Sequence, residues 1–125
     1  KITDALNERS KAIKGSRILV LGLAYKKNID DTRESPAVEI MDLLQDKGAE
    51  VAYSDPHVPK FPRKRNYHFD LQSVALTPES IASYDCLVLA TDHDGFDYQQ
   101  LVQHARLVVD TRGRLGVGRA NVVAA

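Results

Sequence analysis

Short apolar runs alternate along the chain with segments whose apolar residues recur at helical spacing. The runs with strand character are residues 17–24 (RILVLGLA), 50–55 (EVAYSD), 71–76 (LQSVAL), 86–91 (CLVLAT) and 107–110 (LVVD). The nearly continuous apolar character of RILVLGLA and CLVLAT is typical of parallel strands that are buried on both faces. We therefore expect these two runs to lie in the interior of a sheet.

Helical patterns fill most of the intervals between the runs. Ser35–Pro36 and Thr77–Pro78 have the residue types of an N-cap followed by a first-turn proline, and Gly48 is typical of a helix end. The predicted helices cover residues 2–14, 35–48, 77–84 and 96–105. Strands that alternate with helices predict an α/β protein, a Rossmann-like doubly wound parallel sheet in a single domain.

Composition narrows the classes of partner. The chain has 125 residues, of which 43% are apolar, and its seventeen acidic and seventeen basic residues cancel. A neutral balance argues against nucleic acid or a membrane surface as partner, and no apolar run reaches the roughly 18–20 residues that span a bilayer. The single cysteine, Cys86, suits a reducing compartment, so we expect a cytoplasmic protein. Because Lys1 opens directly into a helical pattern, we also expect a piece of a longer polypeptide.

Polar residues follow the carboxyl ends of the predicted strands. Ligands of open parallel sheets bind along that edge, at the switch in strand order. The residues that the strands deliver there are Tyr25, Lys26, Lys27, Asp55, His57, Asp92, His93, Asp94 and Arg112. Such a set predicts a binding site for a phosphorylated ligand, although each residue also fits an ordinary solvated surface.

The loop after the first strand does not match a dinucleotide fingerprint. The G-x-G-x-x-G positions are occupied by Gly22, Ala24 and Lys27, and a lysine in third place prevents close helix packing. The lysines could bind a phosphate as point charges, or they could neutralise the neighbouring aspartates. Arg33 leaves the same choice open, because it suits either a local ion-pair network or bidentate phosphate recognition.

Other constellations are weaker. His93 lies between two aspartates, but neighbouring side chains diverge, so we predict no metal site there. Cys86 starts a core strand, away from the loops, which argues against a cysteine–histidine–aspartate triad. The basic residues 60–65 lie among prolines and are interpreted as a solvated connection.

Four motifs in this order resemble a known family. GLAYKKNIDDTRESPAVEIMDLL, YSDPHVP, ATDH and VDTRG are similar to the C-terminal domain of the UDP-glucose/GDP-mannose dehydrogenase family, and the resemblance covers essentially the whole chain. Within that family, the sequence most resembles the bacterial UDP-N-acetylglucosamine 6-dehydrogenases. The resemblance implies that residues 1–14 end an inter-domain helix and that residues 15–125 form the UDP-sugar-binding domain.

The resemblance also implies roles for single residues. Tyr25 and Lys26 match the pair that contacts the sugar nucleotide, Arg112 matches an arginine that contacts the substrate, and Arg33 matches one that reaches NAD. The family oxidises the sugar C6 alcohol to a carboxylate in two NAD-dependent steps. The resemblance places the NAD-binding N-terminal domain and the reactive cysteine outside this chain, so we expect no catalytic residue here and an inactive fragment. The family's inter-domain helix, much of which is absent here, builds a dimer, so we expect the full-length enzyme to be a homodimer.

Two other interpretations stay open from the sequence. The chain could be a stand-alone Rossmann-like regulatory module that senses a nucleotide without chemistry, or it could serve mainly as a dimerisation scaffold. A glycine-rich strand-turn-helix upstream in the parent reading frame would favour the enzyme.

Overall fold

A computed structural model describes residues 2–8, 12–24, 36–61, 71–116 and 119–124. Within them the elements are α1 (Ile2–Glu8), β1 (Arg17–Leu21), α2 (Pro36–Asp46), β2 (Glu50–Ser54), α3 (Pro78–Ala82), β3 (Cys86–Leu89), α4 (Tyr98–His104), β4 (Val108–Asp110) and β5 (Val122–Ala124). None of the helices in these ranges has the length and apolar character needed to cross a bilayer.

The five strands form one parallel sheet in the order β2-β1-β3-β4-β5. Ile18 of β1 pairs with Val51 of β2 on one side and with Cys86 of β3 on the other. The chain therefore moves to one side of β1 first and to the other side afterwards. This order confirms the prediction of a single α/β domain with a doubly wound parallel sheet.

Helices cover both faces of the sheet. On one face, α1 and α2 pack against alternate strand residues that include Ile18, Val20 and Val88. On the other face, α3 and α4 pack against Leu19 and Leu87 and their face-sharing neighbours. All four residues of β3 are buried, as the continuous apolar run predicted.

Local chemistry sets the helix ends. After α2, the Gly48 amide donates to Gln45 O and the Ala49 amide to Leu44 O, a Schellman motif with Gly48 at φ +91°. At α3, the Thr77 hydroxyl accepts from the Ser80 amide and the Ser80 hydroxyl accepts from the Thr77 amide, a reciprocal capping box.

Among the strands, two predicted elements differ from the structure and one element was not predicted. Strand β1 ends at Leu21, because Gly22 has a φ of +89° that extended backbone does not adopt. Residues 71–76 form no strand, and only Gln72 makes an isolated bridge, to Lys60. Strand β5 was not predicted, and it pairs with β4 through Val122.

The backbone of segment 71–76 pairs only in part: the Phe61 amide donates to Leu71 O and the Ser73 amide donates to Pro59 O, whereas side chains bind other groups. The Val74 amide donates to Tyr53 O, but Ser54 Oγ donates to Val74 O and the Asp55 amide donates to Ser73 Oγ. Such side-chain hydrogen bonds compete with regular pairing. The segment therefore crosses the end of β2 as an irregular strap.

Candidate functional site

The switch in strand order lies at the carboxyl ends of β1 and β3. Connections leave β1 towards β2 on one side and reach β3 on the other, so the loops that follow these two strands face a common crevice. In open α/β sheets this is where ligands bind. The described loops at this edge are residues 22–24, 55–58, 90–96 and 111–116.

A buried carboxylate, that of Asp55, joins three of these loops. Its Oδ2 accepts from the amides of Leu23 at 2.7 Å and Ala24 at 3.0 Å, and its Oδ1 accepts from the His57 amide at 2.7 Å. Oδ2 also lies 2.8 Å from Nε2 of His93, and neither side chain is exposed. Asp55 thus connects the end of β2 to the turns after β1 and β3.

The protonation state of Asp55 follows from these contacts. Burial by itself raises the pKa of the carboxyl group, but the hydrogen bonds from His93 and from the amides of His57, Leu23 and Ala24 outweigh it and lower the pKa below the ordinary aspartate value. The group is therefore an ionised acceptor at neutral pH. Because a carboxylate only accepts, Nε2 of His93 carries the shared proton.

His93 is itself held in place. The Tyr98 hydroxyl donates to His93 O at 2.6 Å, and the His93 ring lies 4.7 Å from the His57 ring and 5.7 Å from the Phe96 ring, centroid to centroid. The side chain points into the protein, away from Asp92 and Asp94, which pair with arginines. Within the described residues, no group of three or more histidine, cysteine or acidic side chains could hold a metal ion.

Gly22 allows the turns after β1 and β3 to touch. A Cβ at this position would lie 2.5 Å from Thr91 Cβ and 2.5 Å from Thr91 O, closer than such atoms approach. The Gly22 amide donates to Ser54 O at 2.8 Å, and Thr91 Oγ1 donates to Ala24 O at 2.7 Å. The amides of Gly22, Leu23 and Ala24 therefore all have protein acceptors.

A second buried aspartate, Asp110, organises the loop after β4. Its Oδ1 accepts from the amides of Arg112 and Gly113, each at 2.9 Å, and its Oδ2 accepts from the Leu115 amide at 2.8 Å. The Arg112 side chain is 46% exposed, and its Nε lies 3.6 Å from Asp92 Oδ1. The backbone of Arg112 is thus fixed while its guanidinium faces the edge beside the β3 loop.

Arg114, which the sequence did not single out, belongs to the same edge. Its guanidinium lies 3.1 Å from Asp94 Oδ1 and 3.7 Å from Asp92 Oδ2, and it stacks 4.6 Å from the centre of the Tyr98 ring. Asp92 and Asp94 lie beside Arg112 and Arg114, so carboxylates compensate the charges of both guanidinium groups. The sequence could have indicated a place for Arg114 at this edge only because it lies two residues after Arg112.

The predicted site residues fall into two groups. Tyr25, Lys26 and Arg33 lie outside the described residues, so their contacts stay predictions. Arg112 lies at the predicted edge, in the loop that follows β4. Cys86 is buried at the start of β3, as the sequence indicated, and burial raises the pKa of its thiol to about 12.

The Asp55–His93 pair is what sequence reasoning missed. Both residues were assigned to the correct edge, but nothing in the sequence indicates that they touch. They follow β2 and β3, which are separated by β1 in the sheet. The turn after β1 contacts the same carboxylate, because the Leu23 amide and Nε2 of His93 both lie within hydrogen-bond distance of Asp55 Oδ2.

A cleft of about 310 Å³ adjoins the site. It lies between the strap and the β3 loop and is lined by Ser54, Pro56, Ser73, Val74, Ala75, Leu76, Gly95 and Phe96. Ser54 Oγ donates to Val74 O, and Ser73 Oγ donates to Asp55 O. Its hydroxyl groups therefore already have protein partners.

Known proteins resemble the chain in sequence and in fold. The UDP-N-acetyl-D-mannosamine dehydrogenase of Escherichia coli K12 is 35% identical over 114 residues, 90% of this chain and 26% of that protein. The UDP-glucose 6-dehydrogenase of Rhizobium meliloti is 40% identical over 106 residues, 80% of this chain and 24% of that protein. The structure of UDP-D-ManNAc dehydrogenase from Pyrococcus horikoshii shares the fold, with a TM-score of 0.74 at 22% identity, over 98% of this chain and 28% of that one.

These likenesses concern one part of longer proteins. The chain spans 24–28% of the length of the three relatives. Their names refer to N-acetylmannosamine or glucose, so the narrower resemblance to UDP-N-acetylglucosamine 6-dehydrogenases stays a prediction. The model of the UDP-glucose/GDP-mannose dehydrogenase family, UDP binding domain, matches residues 19–116, which include every loop of the candidate site. The chain therefore belongs to this family and corresponds to its UDP-binding domain.

Proposed function

We propose that this chain is the substrate-nucleotide domain of an NAD-dependent UDP-sugar 6-dehydrogenase, which oxidises the sugar C6 alcohol to a carboxylate. The observation that carries the proposal is the family match over residues 19–116 together with a crevice at the switch in strand order. The reactive cysteine and the NAD-binding domain belong to parts of the enzyme outside this chain. The greater length of the relatives favours this proposal over a stand-alone regulatory module.

Three residues are proposed to contact the substrate. Tyr25 and Lys26 would meet the nucleotide, with the lysine ammonium near the phosphates, and Arg112 would meet the substrate from the loop after β4. The exposed guanidinium of Arg112, on a backbone fixed by Asp110, supports that assignment. Cations from two loops suit a diphosphate better than a single cation does, because its charge is spread over several oxygens.

NAD is the hydride acceptor that the proposed reaction needs. The described turn after β1 does not fit a dinucleotide, because the amides of Gly22, Leu23 and Ala24 already donate to Ser54 O and Asp55. We therefore assign NAD mainly to the N-terminal domain, with Arg33 reaching it from this one. A homodimer built by the inter-domain helix, of which residues 1–14 would be the end, completes the proposed assembly.

The sugar is proposed to be a UDP-N-acetylhexosamine. The resemblance of the sequence to UDP-N-acetylglucosamine 6-dehydrogenases favours N-acetylglucosamine. Relatives named for N-acetylmannosamine support that epimer equally. Initial rates of NADH formation by the full-length parent on the two UDP-N-acetylhexosamines and on UDP-glucose would decide between them. A strong preference for UDP-glucose would contradict the acetamido proposal.

Binding of UDP to the 125-residue chain tests the central assignment. Calorimetric titration should show that Lys26→Ala weakens UDP binding by roughly ten- to hundredfold, the worth of a charge-assisted hydrogen bond of about 1.5–3 kcal/mol. Lys47→Ala is the matched control, because Lys47 follows α2 at the opposite edge of the sheet. Equal affinities for wild type and Lys26→Ala would refute the role of the lysine.

A further inference from the structure

The short segment Leu23–Ala24 is fixed from both neighbouring loops. Asp55, at the end of β2, accepts from both of its amides, at 2.7 Å and 3.0 Å. Thr91, after β3, donates from Oγ1 to Ala24 O at 2.7 Å. Ala24 is therefore bound at both its N–H and its C=O, and it directly precedes Tyr25 and Lys26 in the chain.

Binding both groups of one residue fixes the direction in which the chain leaves it. Each peptide group is planar, so an amide and a carbonyl that are both held leave few orientations for the bond that continues the chain. Both residues are also buried, with 0% of Leu23 and of Ala24 exposed. The direction in which the chain leaves Ala24 is thus fixed at the crevice.

His93 completes the arrangement by compensating the charge of Asp55. A buried carboxylate needs several donors, and Nε2 of His93 supplies one at 2.8 Å beside the backbone amides. Without this donor, the buried carboxylate would keep only backbone amides as donors, which makes its burial at this position less favourable. His93 is in turn anchored through its carbonyl to the Tyr98 hydroxyl, so the support extends to α4.

We propose that Asp55, Thr91 and His93 are positioning residues for substrate, which fix the turn after β1 so that Tyr25 and Lys26 meet the UDP moiety. This inference rests on the proposed function, because it assumes that the loop after β1 binds UDP. The carboxylate of Asp55 acts as an internal anion: it accepts from the amides of Leu23 and Ala24 and leaves ligand recognition to the side chains that follow. None of the three residues needs to touch the ligand.

The amino end of β1 offers a matched control. There the carboxylate of Asp85 accepts from the Arg17 amide at 2.8 Å, so an aspartate anchors the same strand at its other end. Asp85→Asn weakens a similar hydrogen bond far from the crevice. A residue that only stabilises the fold should behave like Asp85, whereas a positioning residue should affect UDP binding beyond its effect on stability.

Titration of UDP into folded variants of the chain tests the proposal. Thr91→Val, which keeps the shape of the side chain but removes its donor, and Asp55→Asn should each raise the Kd for UDP by roughly five- to thirtyfold, the cost of ordering one backbone residue on binding. His93→Leu should do the same, and His93→Gln should restore much of the affinity because its amide can place a donor near the Nε2 position. Asp85→Asn should lower the melting temperature and leave the Kd unchanged.

Hydrogen exchange supplies a readout that does not depend on the ligand. In Thr91→Val and Asp55→Asn the amides of Leu23 and Ala24 should exchange faster, while the β3 amides stay protected. If wild type binds UDP and the folded Thr91→Val variant binds it equally well, the positioning role is refuted and the proposed function stands. If wild type does not bind UDP, the proposed function fails and this inference fails with it.

Discussion

Replacement of Gly22 by alanine tests the close approach of the turns that follow β1 and β3. Gly22 has a φ of +89°, where an L-residue is strained, and the added Cβ would lie 2.5 Å from Thr91 Cβ and O and 2.8 Å from Thr91 N. Two of these three atoms belong to the backbone of Thr91. Shortening the Thr91 side chain therefore cannot relieve the contact.

The cost of Gly22→Ala has two parts. Left-handed backbone costs an L-residue about 1–2 kcal/mol, and forcing a methyl group into a packed interior costs about 1–3 kcal/mol more. The total of about 2–5 kcal/mol is a large part of the roughly 5–15 kcal/mol that stabilises a domain. Gly15→Ala isolates the first part, because Gly15 has a similar φ of +84° and nothing within 4 Å of its Cβ position.

Urea unfolding followed by circular dichroism measures the difference. With an m-value of about 2 kcal/mol per molar, Gly22→Ala should unfold at a urea concentration about 0.5–1.5 M below that of Gly15→Ala. Adding Thr91→Ser to Gly22→Ala should not restore the midpoint. Coincident midpoints for Gly22→Ala and Gly15→Ala would show that the turns after β1 and β3 do not touch as described.

Three further predictions concern buried or capping groups. Burial raises the pKa of the Cys86 thiol to about 12, so at pH 8 the thiol should react with a disulfide reagent only when urea unfolds the chain, and at the rate of that unfolding. A rapid reaction of the native protein would contradict the burial of Cys86. Asp55 has a lowered folded pKa, so its contribution to the free energy of unfolding is present above the unfolded value of about 3.9 and is lost as the pH falls through the folded pKa. Asp55→Asn should therefore lose less stability between pH 6 and about pH 3 than wild type, and parallel losses would refute this linkage. Thr77→Ala should lower the free energy of unfolding by about 1 kcal/mol through loss of the hydroxyl that caps the Ser80 amide, and an unchanged urea midpoint would show that the cap contributes nothing.

Elements defined by local chemistry could be predicted from the sequence. The Thr77–Pro78 helix start and the Gly48 helix end depend on residues within one turn of each other. Elements that depend on distant partners could not. Strand β5 has three residues, too few for a period, and it forms because β4 pairs with it and because Asn121 Nδ2 donates to Val102 O and Ala105 O.

The candidate site shows the same division. The edge that carries it follows from the rule that parallel strands present their carboxyl ends together, so Asp55, His93 and Arg112 were assigned to one region correctly. The pairing of Asp55 with His93 depends on the strand order β2-β1-β3, which the sequence does not state. Gly22 occupies the first glycine position of a dinucleotide motif that the loop does not otherwise match, and its positive φ and its closeness to Thr91 give it a packing role.

The position of β1 inside the sheet, with a neighbouring strand on each side, has a consequence for how the chain folds during synthesis. One edge of β1 is unpaired until Val51 has been synthesised and pairs with Ile18, and the other edge is unpaired until Cys86 does the same. Until then an apolar strand with an unpaired edge is exposed on the ribosome, where non-local parallel pairing is slow and such edges aggregate. A chaperone should therefore bind most strongly to the nascent chain when β1, α2 and β2 have left the ribosome and β3 has not.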